Sequence, residues 1–296
     1  MHDVIIIGGS FAGLAAATQL GRARRDVLVL DTGLPRNRFA AHSHGFLTRD
    51  GAPPLEMLAE ARKQLEAYPT AQLKTGKAIA ANQSGDAFEV ELESGEKLQS
   101  SRLILAHGMV DDTSLFPGMP ECWGKTVFFC PYCHGFEFAD RRLGLLLRHG
   151  DALELARFYK EWTDKFTFFT NGAPVDDIVR KALAEMNVTI VDDTVMALEH
   201  ENGDLRAIAT ADGSVPLDAL FTHPPARFTT NIGVELGCET RPGALGPIFV
   251  TDDWQATTIP GVFAAGDIAR PAPNVPFAVS DGAMAGVAAH RSLVFG

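Results

Sequence analysis

The chain has no apolar run of bilayer length, few cysteines and no excess of basic charge. Without roughly 20 consecutive apolar residues, a membrane-spanning helix is not expected. Four cysteines in 296 residues do not build the disulfide framework of a small secreted domain. A formal net charge of −11 argues against nucleic acid or an anionic membrane surface as a main partner. Val4-Ile5-Ile6-Ile7 runs into a glycine turn, not a cleavage site, so no signal peptide is expected and the expected location is the cytoplasm. No low-complexity tract or short-period repeat is present. What is present, 46% hydrophobic residues and 28 glycines, suits an α/β chain long enough for two domains and a large core.

The N-terminus has a βαβ layout. Asp3 to Ile7 is a buried-strand run, Gly8-Gly9-Ser10-Phe11-Ala12-Gly13 a turn, and an Ala-rich helix continues to about Leu20. Val27 to Leu30 is a second apolar strand ending on Asp31. Such a unit binds a dinucleotide. Gly8 permits the tight turn and Gly13 lets helix and strand approach. The helix start offers N–H groups to a pyrophosphate, and Asp31 is placed to accept from ribose hydroxyls. Ser10 replaces the middle glycine of G-x-G-x-x-G and is small enough to leave room. The bland alternative, an ordinary α/β turn, does not explain the acidic residue at the strand end.

Lys77 to Gln83, Ala87 to Leu92 and Lys97 to Ser100 alternate as a small meander, with Ser94-Gly95 as a turn. Arg102 to Leu105 is a further strand leading into Ala106-His107-Gly108. Met57, Leu58, Ala61 and Leu65 recur at helical spacing and belong to a core. A second strand–turn–helix–strand begins near Leu143: strand Leu143 to Leu147, helix Asp151 to Trp162, strand Phe166 to Thr170. Near the C-terminus, Ile259-Pro260-Gly261-Val262-Phe263-Ala264-Ala265-Gly266-Asp267 is an apolar strand ending in Ala-Gly-Asp.

Between these halves stands Cys130-Pro131-Tyr132-Cys133-His134. C-x-x-C suits a redox pair, because two thiols at this spacing close into a short-range disulfide. Zinc needs four ligands; Cys122 and Cys238 are isolated, so no metal site is expected. A helix opened by Pro131 sets Cys130 at its positive end, where a thiolate is stabilised. His134 is either a surface histidine or an acid–base group beside the thiols. Near-neutral titration would suit it to take and return protons. Glu137, one helical turn on, either orients His134 or is simply solvated.

Taken in order, the glycine turn, the meander, Ala-His-Gly, a segment opening with C-x-x-C, and Pro-Gly-Val-Phe-Ala-Ala-Gly-Asp resemble the low-molecular-weight thioredoxin reductase family over essentially the whole chain. That resemblance implies two Rossmann-like domains of the two-dinucleotide-binding flavoprotein type, the second inserted in the first. The FAD domain would comprise residues 1–116 and 248–296, and the inserted NAD(P)-binding-like domain 117–247. FAD would be held by Gly8, Gly9, Ser10, Phe11, Ala12, Asp31, Arg38, His44, Ala78, Ala106, Gly108, Gly266, Asp267, Phe277 and Ala278, with Asp267 on the ribityl chain. Cys133 would face the flavin and Cys130 exchange with substrate. A homodimer is also implied.

Cys-Pro-Tyr-Cys-His-Gly-Phe-Glu (130–137) and Asn37-Arg38-Phe39-Ala40-Ala41-His42-Ser43-His44-Gly45-Phe46 resemble more closely the dithiol oxidases of the gliotoxin, holomycin and romidepsin pathways. Standard thioredoxin reductases carry Asp where this chain has His134. The branch implies oxidation of a dithiol to a disulfide with oxygen as acceptor. By the same likeness, His42-Ser43-His44 is a flavin-contacting loop, not a metal site.

The second dinucleotide motif is degraded. In the family this turn is Gly-x-Gly-x-x-Ala; here Arg148 and Leu153 occupy the first and last positions and only Gly150 survives. A side chain at the first position intrudes on the phosphate path, and leucine pushes helix from strand. Thr170-Asn171-Gly172-Ala173-Pro174 lacks the family's paired arginines. NADPH use is therefore not expected, unless Arg148 itself supplies the phosphate contact. Three readings follow. One is an oxidase of a small-metabolite or small-protein dithiol. The second is a reductase fed by a nicotinamide, ferredoxin or another flavoprotein. The third is a flavin-bound redox sensor.

Overall fold

The computed structural model describes residues 1–147 and 151–296. They form two compact units: Met1–Arg38, Phe46–Val110 and Ala226–Gly296 in the first, Phe39–Gly45 and Asp111–Pro225 in the second. These bounds differ from those drawn on the sequence. The chain returns to the first unit at Ala226, not at 248, because Ala226, Phe228, Ile232 and Cys238 are buried in that unit's apolar layer with Phe249. Residues 39–45 go with the second unit, where Gly124 lies so close to Phe39 that a side chain there would collide.

The first unit is built on one sheet. Strands Ala71–Thr75, Val27–Asp31, His2–Ile7 and Lys97–Leu105 are parallel neighbours in that order, and Val262–Ala264 adds beyond Lys97–Leu105. Val4–Ile7, Val27–Leu30 and Leu103–Leu105 read as unbroken apolar runs because both faces are covered there. Side chains still alternate. Ile5, Ile7, Leu28, Leu30, Leu103 and Leu105 point into one layer. Val4, Ile6, Val27, Val29 and Ile104 point into the other, against helix Phe11–Arg22 and Leu58 and Leu65 of helix Pro54–Leu65. Gly282 and Gly286 of the long helix Val275–Phe295 lie directly on the carbonyls of Ala12 and Ala16. A Cβ at either would drive the two helices apart.

Lys97 to Ser100 and Arg102 to Leu105 are one nine-residue strand, not two. Ser100 pairs antiparallel with Phe88 and parallel with His2, and no turn residue intervenes. The same strand thus closes the antiparallel meander of Ala78–Ser84 and Ala87–Leu92 and continues into the parallel sheet.

The second unit repeats the plan. Its parallel sheet runs Thr189–Val191, Phe166–Phe169, Leu143–Leu146, Ala219–Thr222, Val127–Phe128. Helix Ala152–Lys160 links Leu143–Leu146 to Phe166–Phe169. A meander of Val195–Glu201, Asp204–Thr210 and Gly213–Pro216 completes it. Both units are therefore Rossmann-like. Among the described residues, no helix is long and apolar enough to cross a membrane.

Candidate active site

In the first unit the strands His2–Ile7 and Lys97–Leu105 end side by side, and the strand order reverses between them: helix Phe11–Arg22 leads from the first to Val27–Asp31 on one side, and Val262–Ala264 adds on the other. Ligands of open α/β sheets bind at such a switch point. Gly8 makes the turn there with φ +111°, and a side chain on it would fall inside the Ala106 carbonyl. Gly9 N donates to Asp31 Oδ1 at 3.3 Å, which ties the turn to the end of the second strand. Ser10 is the N-cap of helix Phe11–Arg22 but makes no side-chain hydrogen bond to it. The first-turn N–H groups are thus left for an anion. Gly266 packs against Ala12 and Ala278, and so brings the C-terminal Ala-Gly-Asp segment to the same place.

Two partners of the acidic residues were not legible in the sequence. Arg62 Nη2 donates to Asp31 Oδ2 at 2.7 Å, and Arg36 Nη1 to Asp267 Oδ2 at 2.8 Å. Among the described residues, three buried polar atoms of this unit have no hydrogen-bond partner: Arg62 Nε, His107 Nε2 and Gln255 Oε1. Buried donors and acceptors of this kind are normally satisfied. The open helix start, the acidic strand end and the unsatisfied polar atoms fit a dinucleotide. Asp281, almost fully buried, is held by Arg270 (Nε to Oδ2, 2.8 Å), whose guanidinium lies over the Phe277 ring.

The other expected flavin residues are distributed as follows. Gly108 adopts φ +71° with open space around it. Ala78 is buried in the apolar layer beside Ile7 and Leu30. Arg38 donates to the Pro35 carbonyl at 3.0 Å. His44 belongs to the second unit.

There, strand Val127–Phe128 leads through Phe129 to Cys130, the N-cap of the short helix Pro131–His134. The two Sγ atoms are 2.7 Å apart. Cys130 is the more acidic position: the Cys133 thiol hydrogen-bonded to it lowers its pKa, burial opposes this, and the N–H groups of Cys133 and Tyr132 assist. Cys122 and Cys238 are buried and held protonated by that burial. No group of three His, Cys, Asp or Glu able to hold a metal occurs among the described residues.

His134 stacks on Phe128, with centroids 4.1 Å apart and planes 10° from parallel. Burial, and then the nearby His44, push its pKa down to about 4. Near-neutral titration is therefore corrected: at pH 7 this ring is neutral. Glu137 does not orient it. After Gly135 the chain tightens into a 3₁₀ turn, Phe136–Phe138, and Glu137 Oε1 faces His44 Nε2 at 3.5 Å.

At the second nucleotide position, Arg148 and Gly150 lie outside the described residues. Asp151 caps helix Ala152–Lys160, with Oδ1 accepting from Leu153 N at 2.8 Å and Glu154 N at 2.9 Å. The N–H groups that would meet a phosphate already hold a carboxylate. Beyond Phe166–Phe169, Thr170 bonds Asp192, and both Nη atoms of Arg180 are engaged by that same aspartate.

Residues 2–286 match the pyridine nucleotide-disulphide oxidoreductase family. The thioredoxin reductase tcpT of Claviceps purpurea is 31% identical, over 99% of this chain and 94% of its own. An oxidoreductase from Agrobacterium tumefaciens superposes with a TM-score of 0.93 at 44% identity, covering 99% of both chains. HlmI superposes with a TM-score of 0.92 at 34% identity, over 99% of this chain and 92% of its own. With its paired Rossmann-like units and its C-x-x-C, the chain belongs to the pyridine nucleotide-disulphide oxidoreductase family, as a thioredoxin reductase-like member.

Proposed function

We propose that this protein is an FAD-dependent dithiol oxidase. The observation that carries this reading is a contrast between two helix starts. That of Phe11–Arg22 is left open by Ser10, whereas that of Ala152–Lys160 is occupied by Asp151. One unit keeps the features of a dinucleotide site; the other has replaced the phosphate with its own anion. A thiol pair that keeps its flavin but not its nicotinamide donor takes electrons from its substrate.

A substrate thiolate attacks the Cys130–Cys133 disulfide at Cys130 and releases Cys133 as thiolate. The second substrate thiol then displaces Cys130, so the substrate leaves as a disulfide and the enzyme holds two electrons as a dithiol. Neutral His134 accepts a proton released as the thiolates form. Gly8, Ser10, Asp31 and Asp267 would hold FAD, which when bound relays two electrons from the dithiol to oxygen. The sum is R(SH)₂ + O₂ → RS₂ + H₂O₂. We include a homodimer in the proposal; Met284, Val287, Val294 and Phe295 leave an exposed apolar stripe on the last helix.

The second reading is a disulfide reductase working in the opposite direction, favoured by the names of relatives such as tcpT. Anaerobic mixing separates the two. The oxidase reading requires a small dithiol to bleach the flavin and NADPH to leave it oxidised. Rapid bleaching by NADPH would establish the reductase instead.

A further inference from the structure

The carbonyl of Phe129, immediately before Cys130, accepts from two side chains: Tyr159 Oη at 3.3 Å and His223 Nε2 at 3.1 Å. A carbonyl oxygen only accepts, so both groups donate and the His223 proton sits on Nε2. The donors come from separate elements, Tyr159 from helix Ala152–Lys160 and His223 from just beyond strand Ala219–Thr222. The Tyr159 ring is 1% exposed, stacked on Phe166 and packed 4.9 Å from Phe221. Its hydroxyl is aimed by core packing.

Two donors on one carbonyl fix the plane of the Phe129–Cys130 peptide, and that plane sets the direction of the Cys130 side chain. In that direction Cys130 makes the contacts that acidify it, the Cys133 thiol and the N–H groups of Cys133 and Tyr132. Burial and the negative charge of Cys130 push the Tyr159 phenol beyond the usual tyrosine range. The hydroxyl thus keeps its proton, and it lies close enough to sense the thiolate.

We propose that Tyr159 and His223 are positioning residues for Cys130, clamping the Phe129 carbonyl so that the exchange thiol keeps the contacts that make it reactive. Calling Cys130 the exchange thiol rests on the function proposed above; the clamp does not. Cys130 meets Cys133 from its own helix and lies near Tyr159 of the neighbouring helix; His223 reaches the preceding carbonyl from beyond strand Ala219–Thr222, and His134 and His44 lie edge to face 6.1 Å apart in the same unit.

The test is alkylation of Cys130 by iodoacetamide in the reduced, flavin-loaded protein, followed by mass spectrometry from pH 5 to 9. Tyr159→Phe and His223→Ala should each move the rate profile to higher pH and slow alkylation at pH 6 by about 5-fold, as expected for a thiolate returning towards its ordinary pKa. His223→Gln, which retains a donor near Nε2, should restore the parent profile. An unchanged profile in folded Tyr159→Phe and His223→Ala overturns the clamp, as does an equal shift in His223→Ala and His223→Gln. If Tyr159→Phe does not fold, the two His223 variants decide. Shifted profiles in a protein that oxidises no dithiol would sink the function and leave the clamp. Unshifted profiles with normal turnover would do the reverse.

Discussion

Glu137 faces His44, with Oε1 3.5 Å from Nε2, and leaves His134 to the face of Phe128. The histidine beside the thiols is therefore governed by burial and by a second imidazole, without a carboxylate to raise its pKa. It is a base that stays neutral until the pH falls towards 4.

For catalysis, His134→Gln should keep its flavin and lower dithiol oxidation by about 10²-fold, the usual scale for a positioned proton acceptor. Above pH 5.5 the shape of the pH–rate profile should match the parent, because the ring is already neutral there. Steady-state rates from pH 5.5 to 9 check this. A parental rate in the variant returns His134 to a packing role.

Folding stability should depend on the same protonation. His107 and His134 both titrate near 4 in the folded chain and near 6.5 when unfolded. Between these values the unfolded chain binds protons that the native sites refuse. Stability is thus full above pH 6.5 and falls as pH drops towards 4, by something on the order of 2 kcal/mol per histidine. Urea unfolding of the flavin-free protein at pH 7.5 and 5 measures it. His107→Phe should lessen the slope; equal stability at both pH values would contradict the assignment.

Flavin retention should depend on the Arg36–Asp267 pair. Asp267→Ala removes an acceptor and breaks the ion pair to Arg36. Asp267→Asn retains shape and one acceptor. The expected order of FAD retention after gel filtration is parent, then Asn, then Ala. A folded parent protein that is colourless and takes up no FAD would refute the cradle itself.

The carboxylate of Asp151 should repel phosphate. Asp151→Asn keeps a cap but removes the charge, so it should bind NADPH severalfold more tightly than the parent in a fluorescence titration, the size of one charge at a helix start. Equal affinities would show that the cap does not guard this site.

Much of the frame was legible because its signals are local. The apolar run Val27–Leu30 and the glycines at 8 and 13 act over a few residues, and Cys130 at the N-cap follows from Pro131 alone. What escaped depends on residues distant in sequence. Arg36 and Asp267 are joined only by the fold, as are Tyr159, His223 and Phe129. Glu137 escaped for a different reason: helical spacing assumes an α-turn, and the chain tightens to 3₁₀ after Gly135. The strand Lys97–Leu105 was divided because its partner changes midway, and a change of partner leaves no mark on composition.

Electrons should run from substrate thiols to the flavin, and oxygen uptake with a small neutral dithiol such as dithiothreitol measures that direction. The expected result is catalytic uptake, one hydrogen peroxide per disulfide formed, lost in both Cys130→Ser and Cys133→Ser. No uptake above the flavin-free background, together with rapid flavin reduction by NADPH, would contradict it.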